Sequence, residues 1–240
     1  MQKHIKIYMM KKEDAKSKII RTLKEKSVTK QTVYDNTLKT FKQVKQVLQA
    51  IVKDYNKELL ENDKRILLEY KDRGAFEAEI KIAGDLLVFN MHSNIFEFDK
   101  ASGIWKISYV KNDNLASYSG IISIYNFLND SFKYNRFDDL GYLIGRIFIN
   151  KENHYFVEGK RQLGFLYNDF GHSIIDKEAI KNVIESAILY SLDFDLLVPN
   201  YDDVKFVTVA QMKEKINKSK IKTGKRLGFQ FKKDEDEIIA

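Results

Sequence analysis

The sequence predicts an α+β protein: an antiparallel meander packed by a long N-terminal helix and by a second helix near 177–192, with basic terminal segments. Three observations predict it. Apolar residues recur at helical spacing first, at strand spacing next and at helical spacing again, an order that differs from alternating βαβ units. Proline occurs once, at Pro199, which suits long uninterrupted elements. Hydrophobic residues make up 44% of the 240 positions, ample material for one sizeable core. The chain divides into a helical N-terminal region over 1–61, an α+β core over 62–207, and a basic helix with a charged tail over 208–240.

Residues 11–26 read as a short amphipathic helix, with Ala15, Ile19, Ile20 and Leu23 at helical spacing. Ser27 or Thr29 offers an N-cap to the next helix. Residues 30–61 hold neither Gly nor Pro, and Tyr34, Leu38, Phe41, Val44, Leu48, Ile51, Tyr55 and Leu59 recur every three or four residues. This is one helix of about 45 Å at ~1.5 Å per residue. Its aromatic-rich stripe suits packing on a sheet better than a coiled coil.

Over 66–110 the period changes to two. "EAEIKIAGDLLVFN" sets Gly84-Asp85 between two alternating runs, a hairpin signal. In "NIFEFDKASGIWKISYV", a loop over 100–103 pairs Glu97 with Lys106 and Phe98 with Trp105. Residues 118–135 fit strand or helix, and Phe127, Leu128 and Phe132 favour helix. Residues 140–149 and 154–160 form a hairpin around "NKEN". With Asn153 in the left-handed region, Ile149 faces Tyr155, Phe148 faces Phe156, Arg146 faces Glu158 and Gly145 faces Gly159. Residues 177–192 make a strongly periodic helix capped by Asp176. A short basic helix follows at 208–218, and "KKDEDE" closes the chain as a like-charge block.

Cysteine is absent, which excludes a disulfide framework and a thiolate zinc site. The opening residues lack the apolar stretch of a secretory leader, and no run of about 18 apolar residues occurs, so a cytoplasmic protein without a membrane partner is expected. Walker, GxGxxG and GxSxG loops are missing, and no two of His4, His92, His154 and His172 stand at metal-ligand spacing. No cofactor is expected.

The net charge of +7 is uneven. Residues 1–30 carry ten Lys or Arg against three acids, and residues 213–233 carry nine against Glu214. Basic ends around a near-neutral body point to an anionic partner, DNA or RNA first.

Three constellations carry candidate chemistry. "SVTKQTVY" (27–34) resembles the turn and recognition-helix start of bacterial helix-turn-helix repressors. That resemblance implies DNA contacts from Gln31, Thr32 and Tyr34. "KSKIKTGKRLGFQFKK" (218–233) interleaves Lys220, Lys222, Lys225 and Arg226 with Phe229 and Phe231, a pattern that suits phosphate contact with base stacking, while "LGFQF" also alternates as an edge strand does. Asp139 followed by Glu158-x-Lys160 resembles the metal-binding signature of restriction-endonuclease-like nucleases. An arginine opposite Glu158 argues for a structural ion pair instead, with Asp139 left roughly 20 Å away at ~3.3 Å per strand residue.

The stretches "VFNMHSNIFEFD", "IYNFLNDSFKYNR", "GYLIGRIFINKENHYFVEGKRQLGF" and "KTGKRLGFQF" together resemble an uncharacterised conserved protein family of Bacteroidetes bacteria. The resemblance implies a cytoplasmic bacterial protein and assigns no residue a role. The expected function is a non-enzymatic binding protein whose basic ends contact nucleic acid. The alternative is an interaction scaffold that meets a protein partner or a second copy through exposed aromatics, and a metal-dependent nuclease comes third.

Overall fold

The computed structural model describes residues 14–61, 63–137, 139–193, 196–197, 208–210, 213 and 229–230. Lys220, Lys222, Lys225 and Arg226, most of the expected 208–218 helix and the acidic block lie outside the described residues. The architecture is α+β. An antiparallel sheet carries a long helix and a second helix on one face.

The first described residues form one continuous helical rod. Helix α1 (Ala15–Thr22) starts on Asp14, whose carboxylate accepts from the Ser17 amide at 3.0 Å. A π-turn over Leu23–Ser27 follows, and α2 (Val28–Leu59) continues without a break. The expected boundary at Ser27 or Thr29 is therefore absent. Ser27 has helical backbone angles and makes no side-chain cap, and Thr29 is a buried position inside α2. Neither hydroxyl replaces a helical hydrogen bond, because the wide turn accommodates the extra residue without ending the helix.

Strands β1 (Glu69–Asp72), β2 (Glu77–Ile82), β3 (Asp85–Met91), β5 (Tyr118–Leu128), β6 (Tyr142–Ile149) and β7 (Tyr155–Gly159) lie side by side in that order, every pair antiparallel. The two-residue β4 (Phe96–Glu97) adds to the start of β5. Between β2 and β3, Ile82 pairs with Asp85, so the turn residues are Ala83 and Gly84, one position earlier than expected. Ala83 takes the left-handed conformation (φ 51°), and Asp85 is already a buried strand residue.

Two further expectations are corrected. Glu97 and Phe98 do not pair with Lys106 and Trp105, because residues 103–106 form a 3-10 turn capped by Ser102. The indole N–H of Trp105 turns back to the carbonyls of Phe98 (3.2 Å) and Asp99 (3.0 Å). Residues 118–128 are the central strand, and only Asn129–Lys133 (α4) are helical. A strand between two neighbours is apolar on both faces, so its periodicity does not separate strand from helix.

The hairpin around "NKEN" keeps its expected register. Ile149 pairs with Tyr155, Phe148 with Phe156, Arg146 with Glu158 and Gly145 with Gly159. Asn153 is left-handed at φ 61°. The outer edge of β7 is occupied by the chain after α5 (Gln162–Phe165): the Val157 amide donates to the Tyr167 carbonyl at 2.8 Å, and Tyr155 to Ser173 at 3.0 Å.

Helix α6 (Lys177–Leu192) begins on the Asp176 carboxylate, which accepts from the Ala179 amide at 2.8 Å. Phe41, Val44, Leu48 and Ile51 of α2 and Ile180, Val183, Ile184 and Ala187 of α6 bury against Ile80, Phe89, Ile122, Ile124 and Ile147 of the sheet. Each of these side chains other than Ala187 contributes about 1.5–3 kcal/mol of burial. Two asparagines fix α2 at either end of this contact. Asn36 donates to the Asn150 (3.2 Å) and Lys151 (2.8 Å) carbonyls, and Asn56 exchanges two 2.9 Å bonds with the Leu68 backbone. At the opposite end of the sheet's other face, Phe148 stacks on Phe156 (4.7 Å, 10°), and residues 98–117 close over them as a small second core around α3 (Ser108–Asn112). Leu196–Leu197 (β8) pair in parallel with Phe229–Gln230 (β9), so Phe229 of the basic tail is strand-paired.

Candidate functional site

The nuclease constellation is accounted for by ion pairs. Glu158 sits on β7 with Arg146 directly across, Nη1 to Oε2 at 3.2 Å, and both side chains are exposed. Asp139 lies before β6, where the Ser131 hydroxyl donates to it at 2.6 Å. The Arg136 Nε is 2.8 Å from the same carboxylate, although not aligned as a donor. Among the described residues no three His, Asp or Glu side chains gather to hold a metal. Two carboxylates each occupied by its own arginine leave no shared pocket for a divalent cation.

The sheet face turned away from the helices is charge-balanced for the same reason. Arg73 meets Glu79 at 2.9 Å, Lys81 pairs with Glu69, and Arg146 pairs with Glu158. The Glu79 carboxylate is 95% buried, so Arg73 is its necessary counter-ion. A face whose cations are already neutralised offers little field to an anionic partner.

The helical rod is different. From residue 14 to residue 45 it carries nine cations (Lys16, Lys18, Arg21, Lys24, Lys26, Lys30, Lys39, Lys42 and Lys45) against Asp14, Glu25 and Asp35. Nine less three is six; Lys45 is paired with Asp72 at 2.6 Å, and residues 14–28 alone hold five cations against two acids. Residues 14–28 are exposed without exception, burial begins at Thr29 and Val33, and the Lys26 side chain already reaches the Tyr118 hydroxyl of β5. The result is an arm of about 21 Å, fourteen helical residues at ~1.5 Å each. Among the described residues Lys16, Lys18 and Lys24 meet no carboxylate. Lys30 lies over the Tyr118 ring, 5.2 Å from its centroid, where the arm joins the body. The Tyr118 hydroxyl donates to Glu97 at 3.1 Å. Burial and then the Glu97 charge push that phenol above its ordinary range, so it stays protonated.

The arm also bears an apolar stripe. Ile19, Leu23 and Val28 are 60%, 56% and 57% exposed, and Ile20 is 41% exposed. Apolar side chains grouped on a projecting helix mark a contact surface, whereas isolated ones do not.

Of the expected nucleic-acid residues, Gln31 and Thr32 are exposed on α2 just past the arm. Thr32 turns its hydroxyl back to the Val28 carbonyl at 3.1 Å, and Tyr34 is half-buried against the main core. The turn that makes a helix-turn-helix is missing, since residues 15–59 run as one rod. No sequence motif marks Lys16, Lys18, Lys24 and Lys26. The usable signal is the unequal charge count of residues 1–30 together with the amphipathic spacing of Ile19, Ile20 and Leu23.

Among the described residues no helix is long and apolar enough to cross a membrane. Comparison of the chain with family models, with curated proteins and with solved structures gives no match.

Proposed function

We propose that this is a non-enzymatic nucleic-acid-binding protein that grips phosphates with its cationic helical arm. The observation that carries the reading is the segregation of charge: the sheet face turned away from the helices pairs cations with carboxylates, while the arm over residues 14–28 holds five cations against two acids. Unpaired lysines on a helix clear of the body reach a phosphate backbone without disturbing the core, and counter-ion release then drives binding.

The test is a salt titration of affinity for duplex DNA and for single-stranded RNA. Wild-type protein binds at low salt and loses affinity steeply as salt rises. Changing Lys16, Lys18, Lys24 and Lys26 to Gln keeps good helix formers in place. It flattens the log–log slope by about 0.9 for each duplex phosphate that the arm no longer neutralises. Failure of the wild type to bind either polymer at low salt, or an unchanged slope in the variant, rejects the reading.

A second reading, an interaction scaffold, is favoured by the exposed stripe of Ile19, Ile20, Leu23 and Val28 on the same arm. Phosphate contact gives these side chains nothing to bury against.

A further inference from the structure

We infer that the free edge of β1 is a docking site for an extended segment of another protein, which joins the sheet as an antiparallel strand with an acidic residue opposite Lys71. β1 ends the row of strands, and β2 is its one neighbour among the described residues. The Arg73 amide donates to the Glu77 carbonyl at 3.2 Å, which fixes the alternation along the strand. Glu69 and Lys71 turn their main-chain groups towards β2, as Arg73 does, while Leu68, Tyr70 and Asp72 turn theirs outward.

The two ends of this edge are closed by side chains. The Asn56 amide stands in for a neighbouring strand at Leu68, accepting from its N–H and donating to its carbonyl, both at 2.9 Å. Where the strand turns, the Gly74 N–H donates to the Asp72 carboxylate at 2.9 Å, and the Gly74 carbonyl accepts from the Lys45 ammonium. Between these caps, the main-chain N–H and C=O groups of Tyr70 and Asp72 meet no partner among the described residues. The opposite edge of the sheet has no such window, since the Tyr155 and Val157 amides of β7 already donate to the chain after α5.

The window defines its occupant. Outward N–H and C=O groups on alternate residues are met by an extended chain, whose own groups repeat at the same spacing. With one donor and one acceptor on each of Tyr70 and Asp72, an antiparallel strand closes every open group. Lys71 then falls in a non-hydrogen-bonded pair, where facing side chains come closest. Its charge is available. Glu79 lies across from Lys71 in β2 but is held by Arg73 at 2.9 Å, Glu69 is held by Lys81, and Lys71 meets no carboxylate among the described residues. An acid in the added strand supplies one. A second copy fits badly. The two-fold pairing that uses both open residues, Tyr70 on Asp72 and Asp72 on Tyr70, also sets Lys71 on Lys71. The site uses none of the arm's residues, so it stands whether or not the arm holds nucleic acid.

The probe is the acetylated and amidated peptide Thr-Val-Glu-Val-Thr, titrated into the whole protein and followed through the protein's amide resonances. In the antiparallel register its glutamate faces Lys71, and its two valines aim their main-chain groups at Asp72 and Tyr70. Binding is expected with a Kd on the order of 1 mM, together with slowed hydrogen exchange at the Tyr70 and Asp72 amides. N-methylation of both valines removes the donors aimed at the edge and weakens binding at least about tenfold. N-methylation of the glutamate, whose amide faces away from the edge, changes it by less than about twofold. Lys71→Glu weakens the peptide by about two- to fivefold and makes its Lys-centred counterpart the tighter ligand. Lys71 is exposed, so this variant melts where the wild type does. No binding at about 5 mM peptide, or equal losses from the two methylations, overturns the docking site. Affinity that Lys71→Glu leaves unchanged overturns the acidic partner. Tyr70 and Asp72 amides that become protected as the protein alone is concentrated assign the edge to a second copy and overturn the choice of a different chain.

Discussion

Tyr55 shows how much one side chain links two elements here. Its hydroxyl, on α2, donates to Glu185 on α6 and so ties the two helices across the face they share. Burial first, and then the Glu185 carboxylate, push the phenol up to about 12. The sign follows from linkage. A folded-state value above the unfolded value of about 10 means that the neutral form is favoured in the fold. The stabilisation is complete below pH ~10 and is lost as pH rises towards about 12. Comparing Tyr55→Phe with the wild type in urea isolates this group from the other tyrosines. The wild type is more stable at pH 8, and the gap closes above pH ~10; a gap independent of pH rules out the tie. Asp113 gives the acid-side counterpart. Burial pushes its carboxyl up, but the Lys151 ammonium and the Leu115 amide together outweigh that and hold it below its ordinary value. Its contribution is present above the unfolded carboxylate value and fades as pH falls through the folded one.

At the scale of elements, the contact of α2 on β5 is set by one missing side chain. A Cβ on Gly120 would lie 2.0 Å from the Thr37 hydroxyl oxygen and 2.8 Å from the Thr37 Cβ. Thr37 is fully buried and donates to the Val33 carbonyl at 2.7 Å, so it has no room to turn aside. Gly120→Ala is expected to destabilise by about 1–3 kcal/mol, the range for overpacking. Adding Thr37→Ala recovers part of that loss because the two sites touch. Additive losses in a double-mutant cycle of urea midpoints would show that α2 does not press on β5 at this point. The same element explains what is legible in the sequence. The β6–β7 hairpin can be read residue by residue, because its pairing is local and Asn153 marks the turn. The stripe of α2 and the Asp176 cap are equally plain, each resting on side chains within one helix. β5 is not plain: its apolar residues point to both faces, and its partners are distant in sequence. Nor is the turn at Ala83, where the left-handed residue is an alanine beside the more conspicuous glycine. The candidate site is less legible than the fold. Clusters of Ser and Thr at 27–29 look like a helix boundary, whereas the backbone absorbs them in a π-turn, a feature with no side-chain signature.

For the whole molecule, the division between arm and body predicts two independent levels of stability. Residues 14–28 bury nothing, so unwinding them exposes no core. Proline in place of Thr22 costs the helix about 3 kcal/mol locally, yet the cooperative melting of the sheet and α2 is expected to stay where it was. Circular dichroism should lose only the arm's share of helix, and a lowered main transition would mean that the arm is part of the core. Because the body tolerates changes in the arm, the five residues from Leu23 to Ser27 have a further consequence. A residue added to or removed from a packed helix ordinarily rotates everything beyond it by about 100° and ruins the fit. Here the rod already holds one residue more than an α-turn needs, at a point where none of its residues is buried. Insertions and deletions at this joint are expected to re-aim the arm like the bezel of a compass while the body keeps its melting temperature, so the direction the arm faces is set separately from the fold that carries it.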